Sequence, residues 1–159
     1  MVKKLSFATL VSLVWSVNPV FGQMDEYHQI PLTIRANIIF VKLLVNNRPA
    51  NFIVDTGASV SLLDRKQAEK YNFICFDEYG AGEINSLAGI NSMLPTGGIR
   101  LGYDFFTFRK FRFYGSNFDP LHNYLAKRNI HVLGIVGADF LIKNKAVIDY
   151  NNKILTIKK

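Results

Sequence analysis

Asp55, Thr56 and Gly57 are the residues of this chain whose types and order could do chemistry. They follow the apolar run Phe52-Ile53-Val54, so a carboxylate would leave a buried strand directly. Gly57 would let the backbone turn tightly just behind it, which aims the carboxylate from a rigid base. Thr56 supplies a hydroxyl that can hold such a loop. One carboxylate would do little alone. Two close carboxylates cannot both ionise, so they share one proton. The charged member can then activate a water while the protonated member polarises a carbonyl. Such a pair titrates as a unit. Read by itself, the tripeptide fits an ordinary strand-end turn better, with the Asp accepting backbone hydrogen bonds.

Other chemistries have weaker support. Cys75 is the only cysteine, so an intramolecular disulfide is excluded. Its setting, Phe73-Ile74-Cys75-Phe76, suits a buried thiol better than a nucleophile. His28, His122 and His131 stand in no pattern with Cys75 that would make a catalytic pair or a zinc site. No cofactor and no metal are expected. The formal charge is +7; without Lys3 and Lys4, 17 basic residues face 12 acidic ones, leaving +5. The basic residues are scattered. The densest run, Arg109-Lys110-Phe111-Arg112-Phe113-Tyr114, alternates like a strand with one wet face, and nucleic acid is not an expected partner.

The elements that must position Asp55 are mostly strands. Ile30 to Arg35, Ala36 to Val45 and Asn51 to Val54 read as strands, with a turn at Asn46-Asn47-Arg48-Pro49. Asp64 can cap a helix over Arg65 to Tyr71. Glu83 to Ile90 and Ser92 to Leu101 suggest a hairpin with Gly89 near its tip. Tyr103 to Tyr114 reads as one long strand, and Ile130 to Val136 as an apolar strand ending at Gly137. Asp119, followed by Pro120, is expected to cap a helix to Lys127, and Asp139 a short helical turn to Ile142. Ala146 to Asp149 and Ile154 to Ile157 form a closing hairpin. The sum is a mainly-β class with two or three short helices.

The N-terminus has the layout of an export signal. Lys3 and Lys4 precede the apolar stretch Leu5 to Val17, whose 13 residues are too few to span a bilayer. Asn18-Pro19 breaks it, and Val20-Phe21-Gly22 offers small residues for cleavage. Residues 1–22 are therefore expected to be a cleaved signal peptide. A buried N-terminal helix or an uncleaved anchor would also fit. Residues 23–159 form a single domain, and no later segment could span a membrane.

The context of Asp55 carries a specific resemblance. Eighty residues beyond Gly57, counting to Gly137, lies Val132-Leu133-Gly134-Ile135-Val136-Gly137-Ala138-Asp139-Phe140-Leu141. Two hydrophobics before Asp-Thr-Gly-Ala, then two hydrophobics and Gly before a short helix, resemble the retropepsin-like aspartic peptidases. These are single-domain relatives of the retroviral proteases. The resemblance implies an acid-protease barrel that is half of a symmetric dimer. It implies Asp55 as catalytic carboxylate, Thr56 bonding across the dimer to the other loop, and Gly57 approaching substrate backbone. Ala58 stands where two-domain pepsins carry Ser, and the lost hydroxyl favours less acidic working conditions. Glu83 to Leu101 falls at the place of the flap, so Ala88, Gly89 and Ile90, with Ala58, would meet substrate. A plain surface hairpin would fit the same segment. Ala138-Asp139 replaces the retroviral Arg-Asn.

Asp64, Asp77, Asp104, Asp119, Asp139 and Asp149 all lack the Thr-Gly of a second such loop. The dyad is therefore expected from two copies of Asp55. The function implied is that of an exported, periplasmic or secreted, homodimeric endopeptidase. Its peptide or protein substrates would be extended, with hydrophobic side chains about the scissile bond. A catalytically silent module that binds peptides or partners is the alternative, and an unrelated β-domain with a chance motif a third.

Overall fold

The computed structural model describes residues 27–77, 82–86, 89–109 and 111–158, with backbone alone for 82–86 and 89–91. The expected signal peptide and Ala88 lie outside the described residues.

Three strands open the fold: β1 (Tyr27–Arg35), β2 (Ile38–Val45) and β3 (Arg48–Val54). Their turns are two residues long, Ala36-Asn37 and Asn46-Asn47, and all four residues have positive φ, from 49 to 66°. That geometry matches the right-handed twist of the flanking strands, and Asn tolerates it well. Arg48 and Pro49, expected in the second turn, already belong to β3. The Asn46 side chain locks that turn to its surroundings. Its amide donates to the carbonyls of Tyr71, Asn72 and Gly98 at 2.9, 2.7 and 2.8 Å, and its oxygen accepts from Arg100 N at 2.8 Å.

Next come β4 (Leu62–Asp64), a 3-10 turn (Arg65–Gln67), α1 (Ala68–Tyr71), β5 (Ile74–Cys75), β6 (Gly82–Ser86) and β7 (Gly89–Gly97). β8 (Leu101–Tyr103), β9 (Phe106–Thr107), β10 (Tyr114–Ser116) and α2 (Asp119–Ala126) follow. β11 (Gly134–Val136), α3 (Ala138–Lys143), β12 (Val147–Asp149) and β13 (Ile154–Lys158) complete the described chain. The class is all-β with three short helices, as expected. None of the described helices is long and apolar enough to cross a membrane.

The strands hydrogen-bond in the order β12-β13-β1-β2-β3-β11-β4-β10-β7-β5. Among the described residues the sheet does not close into the barrel the resemblance implied. β12 and β5 are its two ends, and it branches where β2 also pairs with β8 and β7 also pairs with β6. Branching spends strand edges that closure would need. One feature of this order positions Asp55. β11 runs parallel to β3 on one side (Val136 opposite Val54) and antiparallel to β4 on the other (Gly134 opposite Leu63).

Several expectations are corrected by turn chemistry. The long strand over Tyr103 to Tyr114 is broken at Asp104, whose φ of +51° turns β8 back onto β9. Beyond β9 the alternation persists without a ladder: Phe108 and Phe113 are buried while Arg109 and Arg112 are exposed. Of Ile130 to Val136 only the last three residues pair as a strand. Asp119 lies inside the first turn of α2, where Asn117 Oδ1 accepts its N–H at 3.0 Å. Asp64 caps as expected, accepting from Lys66 N at 3.1 Å, but the turn it starts is 3-10 before it becomes α1.

The main core joins Ile30, Val41, Leu43, Phe52, Leu63 and Leu155 to an aromatic stack. In it Phe111 meets Phe113 and Phe140 edge-on, with ring centres 5.2 and 5.4 Å apart. Each fully buried Phe stabilises the fold by about 2–3 kcal/mol. A smaller cluster, Phe40, Phe118, Leu125, Ile130 and Val132, seats α2.

Candidate active site

Asp55 is the first residue past β3. Its N–H donates to Val136 O at 3.0 Å, so the β3–β11 pairing continues up to it. The chain then turns. Ala58 N donates to Asp55 O at 3.3 Å, and Gly57 N donates to the Asp55 carboxylate, Oδ1, at 2.9 Å. Asp55 is half-buried, while Thr56 and Gly57 are exposed. The ordinary strand-end turn is thus present in part, since one carboxylate oxygen holds a backbone N–H. Oδ2 meets no hydrogen-bond donor among the described residues. A half-buried carboxylate with one oxygen fixed and one open is oriented, yet still able to hold a water or a proton.

The tight turn behind Asp55 is made without a positive φ at Gly57; the positive-φ glycine among the described residues is Gly98. What a side chain at Gly57 would crowd is the carboxylate, since a Cβ there would lie 3.3 Å from Asp55 Oδ1.

The loop rests on the second motif. β11 threads behind it, and Ala138 N donates to Ala58 O at 2.7 Å. A Cβ on Gly137 would meet Ala58 O at 2.6 Å and Val60 O at 2.8 Å; one on Gly134 would meet Leu62 O at 2.3 Å. Both glycines are required by close backbone approach. Ser61, fully buried, ties the layers together. Its hydroxyl accepts from Gly137 N at 2.9 Å and donates to Asp139 Oδ1 at 2.7 Å, and its N–H donates to Asp139 Oδ2 at 3.0 Å.

Asp139 was expected to cap the short helix. It sits one position inside α3, where its Oδ1 also accepts from Phe140 N at 2.7 Å, and its main work is to grip Ser61. Ser61 was not singled out in the sequence; its one signal is a hydroxyl inside the apolar run Ser59 to Leu63. Asp64, which is buried, accepts from Gln67 Nε2 at 3.1 Å and contacts His122 Nε2 at 3.0 Å. Asp139 and Asp64 are thus both committed to structure. Among the described residues, three metal-ligating side chains nowhere come together.

Of the remaining candidate site residues, Ala58 is half-buried on the loop. Gly89 and Ile90 lie on β7, paired with Ser86 and Asn85 of β6. The hairpin expected there exists, and its root at Leu94-Pro95 pairs with β10.

Comparisons with known proteins agree with this arrangement. Residues 41–140 match the family model described as aspartyl protease. A retropepsin-like aspartic protease from Rickettsia conorii is similar in structure, with a TM-score of 0.51 at 18% identity. The match covers 84% of this chain and 92% of that one. The retroviral protease-like domain of Ddi1 from Leishmania major also gives 0.51 at 18% identity, covering 76% and 87%. No curated protein matches by sequence. The fold is retropepsin-like, and with more than half its length matched, from β2 to α3, the chain belongs to the aspartyl protease family.

Proposed function

We propose that this chain is an exported aspartic endopeptidase whose catalytic dyad forms from two copies of Asp55 across a homodimer. The observation that carries the reading is the Asp55 carboxylate itself, held at Oδ1 by Gly57 and open at Oδ2 among the described residues, on an exposed loop, while Asp139 and Asp64 are engaged by Ser61 and His122. In the dimer one Asp55 is ionised and draws a proton from water, and the other donates a hydrogen bond to the scissile carbonyl. Thr56, exposed in the single chain, bonds to the partner loop. Gly57 and Ala58 face the substrate backbone, and the hairpin carrying Ala88, Gly89 and Ile90 covers an extended peptide with apolar side chains. Residues 1–22 direct export to the periplasm or beyond and are removed near Gly22.

The test is cleavage of a peptide library by purified protein, read by mass spectrometry, with light scattering for the dimer. Asp55→Asn is expected to lower the rate by about 10²- to 10⁴-fold, the range for a general acid–base group. Cleavage that survives the substitution, or a monomer at every usable concentration, overturns the reading. Peptide binding without cleavage by the wild type would mark a silent binding module instead.

A further inference from the structure

On one face of β1, β2 and β3 the register sets Thr33 opposite Phe40 and Lys42 opposite Asn51. Arg35 lies on the same face, two residues beyond Thr33. The segment after α2 forms a wall over this face, and it is fastened to β3 twice. Asn51 Nδ2 donates to His131 O at 3.2 Å, and Leu133 N donates to Asn51 O at 2.8 Å. Strands and wall enclose two hollows, of about 530 and 250 Å³, which share Lys42, Asn51 and His131 and so form one groove. Arg35 lines the larger hollow, Lys70 of α1 the smaller, and Lys42 stands where they join. All three cations are exposed. No carboxylate lines either hollow, and among the described residues none of the three is in an ion pair. Lys70 Nζ lies 5.3 Å from the centre of the Tyr71 ring, a contact that leaves its charge in place.

We propose that this groove binds an acidic stretch of an extended polypeptide, carried by the substrate itself. That the polypeptide is a substrate rests on the endopeptidase function proposed above; its binding does not. Like charges spaced along one groove repel, and an acidic chain lying in it relieves that repulsion. The exposed Thr33 hydroxyl and Asn129 amide add donors and acceptors suited to peptide groups. Other anions fit less well. Single-stranded nucleic acid would stack its bases on exposed rings, but Phe40 and Tyr71 are buried and Tyr103 is half-buried. A membrane would take up exposed apolar side chains, and the exposed lining residues are polar apart from Pro31 and Pro49. Arg35 and Lys70 line different hollows, so one small anion would leave one of them unanswered. Neither hollow includes Asp55 to Ala58, so the groove is separate from that loop. Asn51 precedes Asp55 by four positions, about 13 Å along an extended strand. A substrate cleaved at Asp55 would therefore carry its acidic stretch about four or more residues from the scissile bond.

The experiment measures fluorescence anisotropy of two labelled peptides, five Gly-Glu repeats and five Gly-Gln repeats, with the full chain carrying Asp55→Asn so that the probes stay intact. The Glu peptide is expected to bind about tenfold tighter or more. The difference should shrink as salt rises past 0.15 M, where the screening length falls below about 8 Å. Arg35→Gln, Lys42→Gln and Lys70→Gln should each weaken binding by about two- to fivefold, the range for one exposed ion pair. These three exposed positions lie on three different elements, so the outcome does not hang on one variant folding. Arg112→Gln, outside both hollows, should leave binding unchanged. Equal affinity for the two peptides, wild-type affinity in all three groove variants, or the same loss from Arg112→Gln overturns the proposal. Tighter binding of an equally charged DNA oligonucleotide or of phosphatidylglycerol vesicles overturns the occupant, as does displacement of the peptide by inorganic phosphate at constant ionic strength. With the wild type, an acidic stretch added beyond the fourth residue from an apolar cleavage site should lower KM several-fold at unchanged kcat, and Lys42→Gln should remove the gain. Cleavage with the same KM in both peptides overturns the link to substrate. Binding of the Glu peptide with no cleavage of any peptide would sink the endopeptidase function and leave the groove standing.

Discussion

Ser61 and Asp139, 78 positions apart, are joined twice: the Ser61 hydroxyl donates to Asp139 Oδ1 at 2.7 Å and its N–H donates to Oδ2 at 3.0 Å. The same hydroxyl accepts from Gly137 N. This fastening holds α3 and β11 against the underside of the loop that presents Asp55. It joins the two sequence motifs physically and explains why both carry small or polar residues at points where an apolar side chain would pack.

Ser61→Ala removes the hub and leaves Gly137 N–H without a partner, while Asp139 Oδ1 keeps Phe140 N and Oδ2 keeps the N–H of residue 61. A buried polar group left this way costs about 1–3 kcal/mol. Urea unfolding should show a fall in stability of that order at unchanged slope. Peptide cleavage should fall more than stability alone explains, because the loop loses its support.

Two glycines separate fold from site. Gly137→Ala drives a Cβ into two backbone carbonyls, at 2.6 and 2.8 Å, which cannot swing aside. A loss of about 1–3 kcal/mol or failure to fold is expected. Gly57→Ala meets only the Asp55 carboxylate, at 3.3 Å. Its unfolding midpoint should stay near wild type while cleavage is lost, since the group it displaces is the one proposed to react.

The sequence made the site legible where chemistry and backbone approach coincide. Asp55-Thr56-Gly57 and Ile135-Val136-Gly137 stand out because so few residues suit those positions. Fold class, the closing hairpin and the hairpin around Gly89 followed from alternation and turn residues. Asp104 was harder to read, because a non-glycine residue at positive φ is uncommon and the alternation across Phe106 to Phe113 masked the break. Asp119 and Asp139 look like helix caps in sequence but lie inside their helices, since Asn117 and the threading of β11 set where each begins. The grip of Asp139 on Ser61 is a long-range contact that local pattern does not encode.

Cys75 should be a slow thiol. Burial raises its pKa above the ordinary 9.0, and the nearby Asp77 charge adds to this. The thiolate is the reactive form, so alkylation near pH 8 should run well below the rate in urea. The sign for stability follows. The folded chain holds this proton more tightly than the unfolded one, so its contribution is complete below pH 9.0 and is lost as pH rises through the folded value. Equal alkylation rates in folded and unfolded protein would contradict the burial of this side chain against Gly115.

The proposed dimer makes a prediction that no single-chain site shares. If each site needs two Asp55 carboxyls, an Asp55→Asn chain poisons the wild-type chain it pairs with. Equal amounts exchanged to equilibrium leave about a quarter of the dimers wild type on both sides. Activity per wild-type chain should then fall by about half, and it should fall further as the variant is raised in excess. Dilution of a wild-type sample should likewise lower activity faster than concentration as the dimer dissociates. Activity per wild-type chain that stays constant across the mixing series would place a complete site within one chain, leaving the open Oδ2 of Asp55 to find its partner acid there.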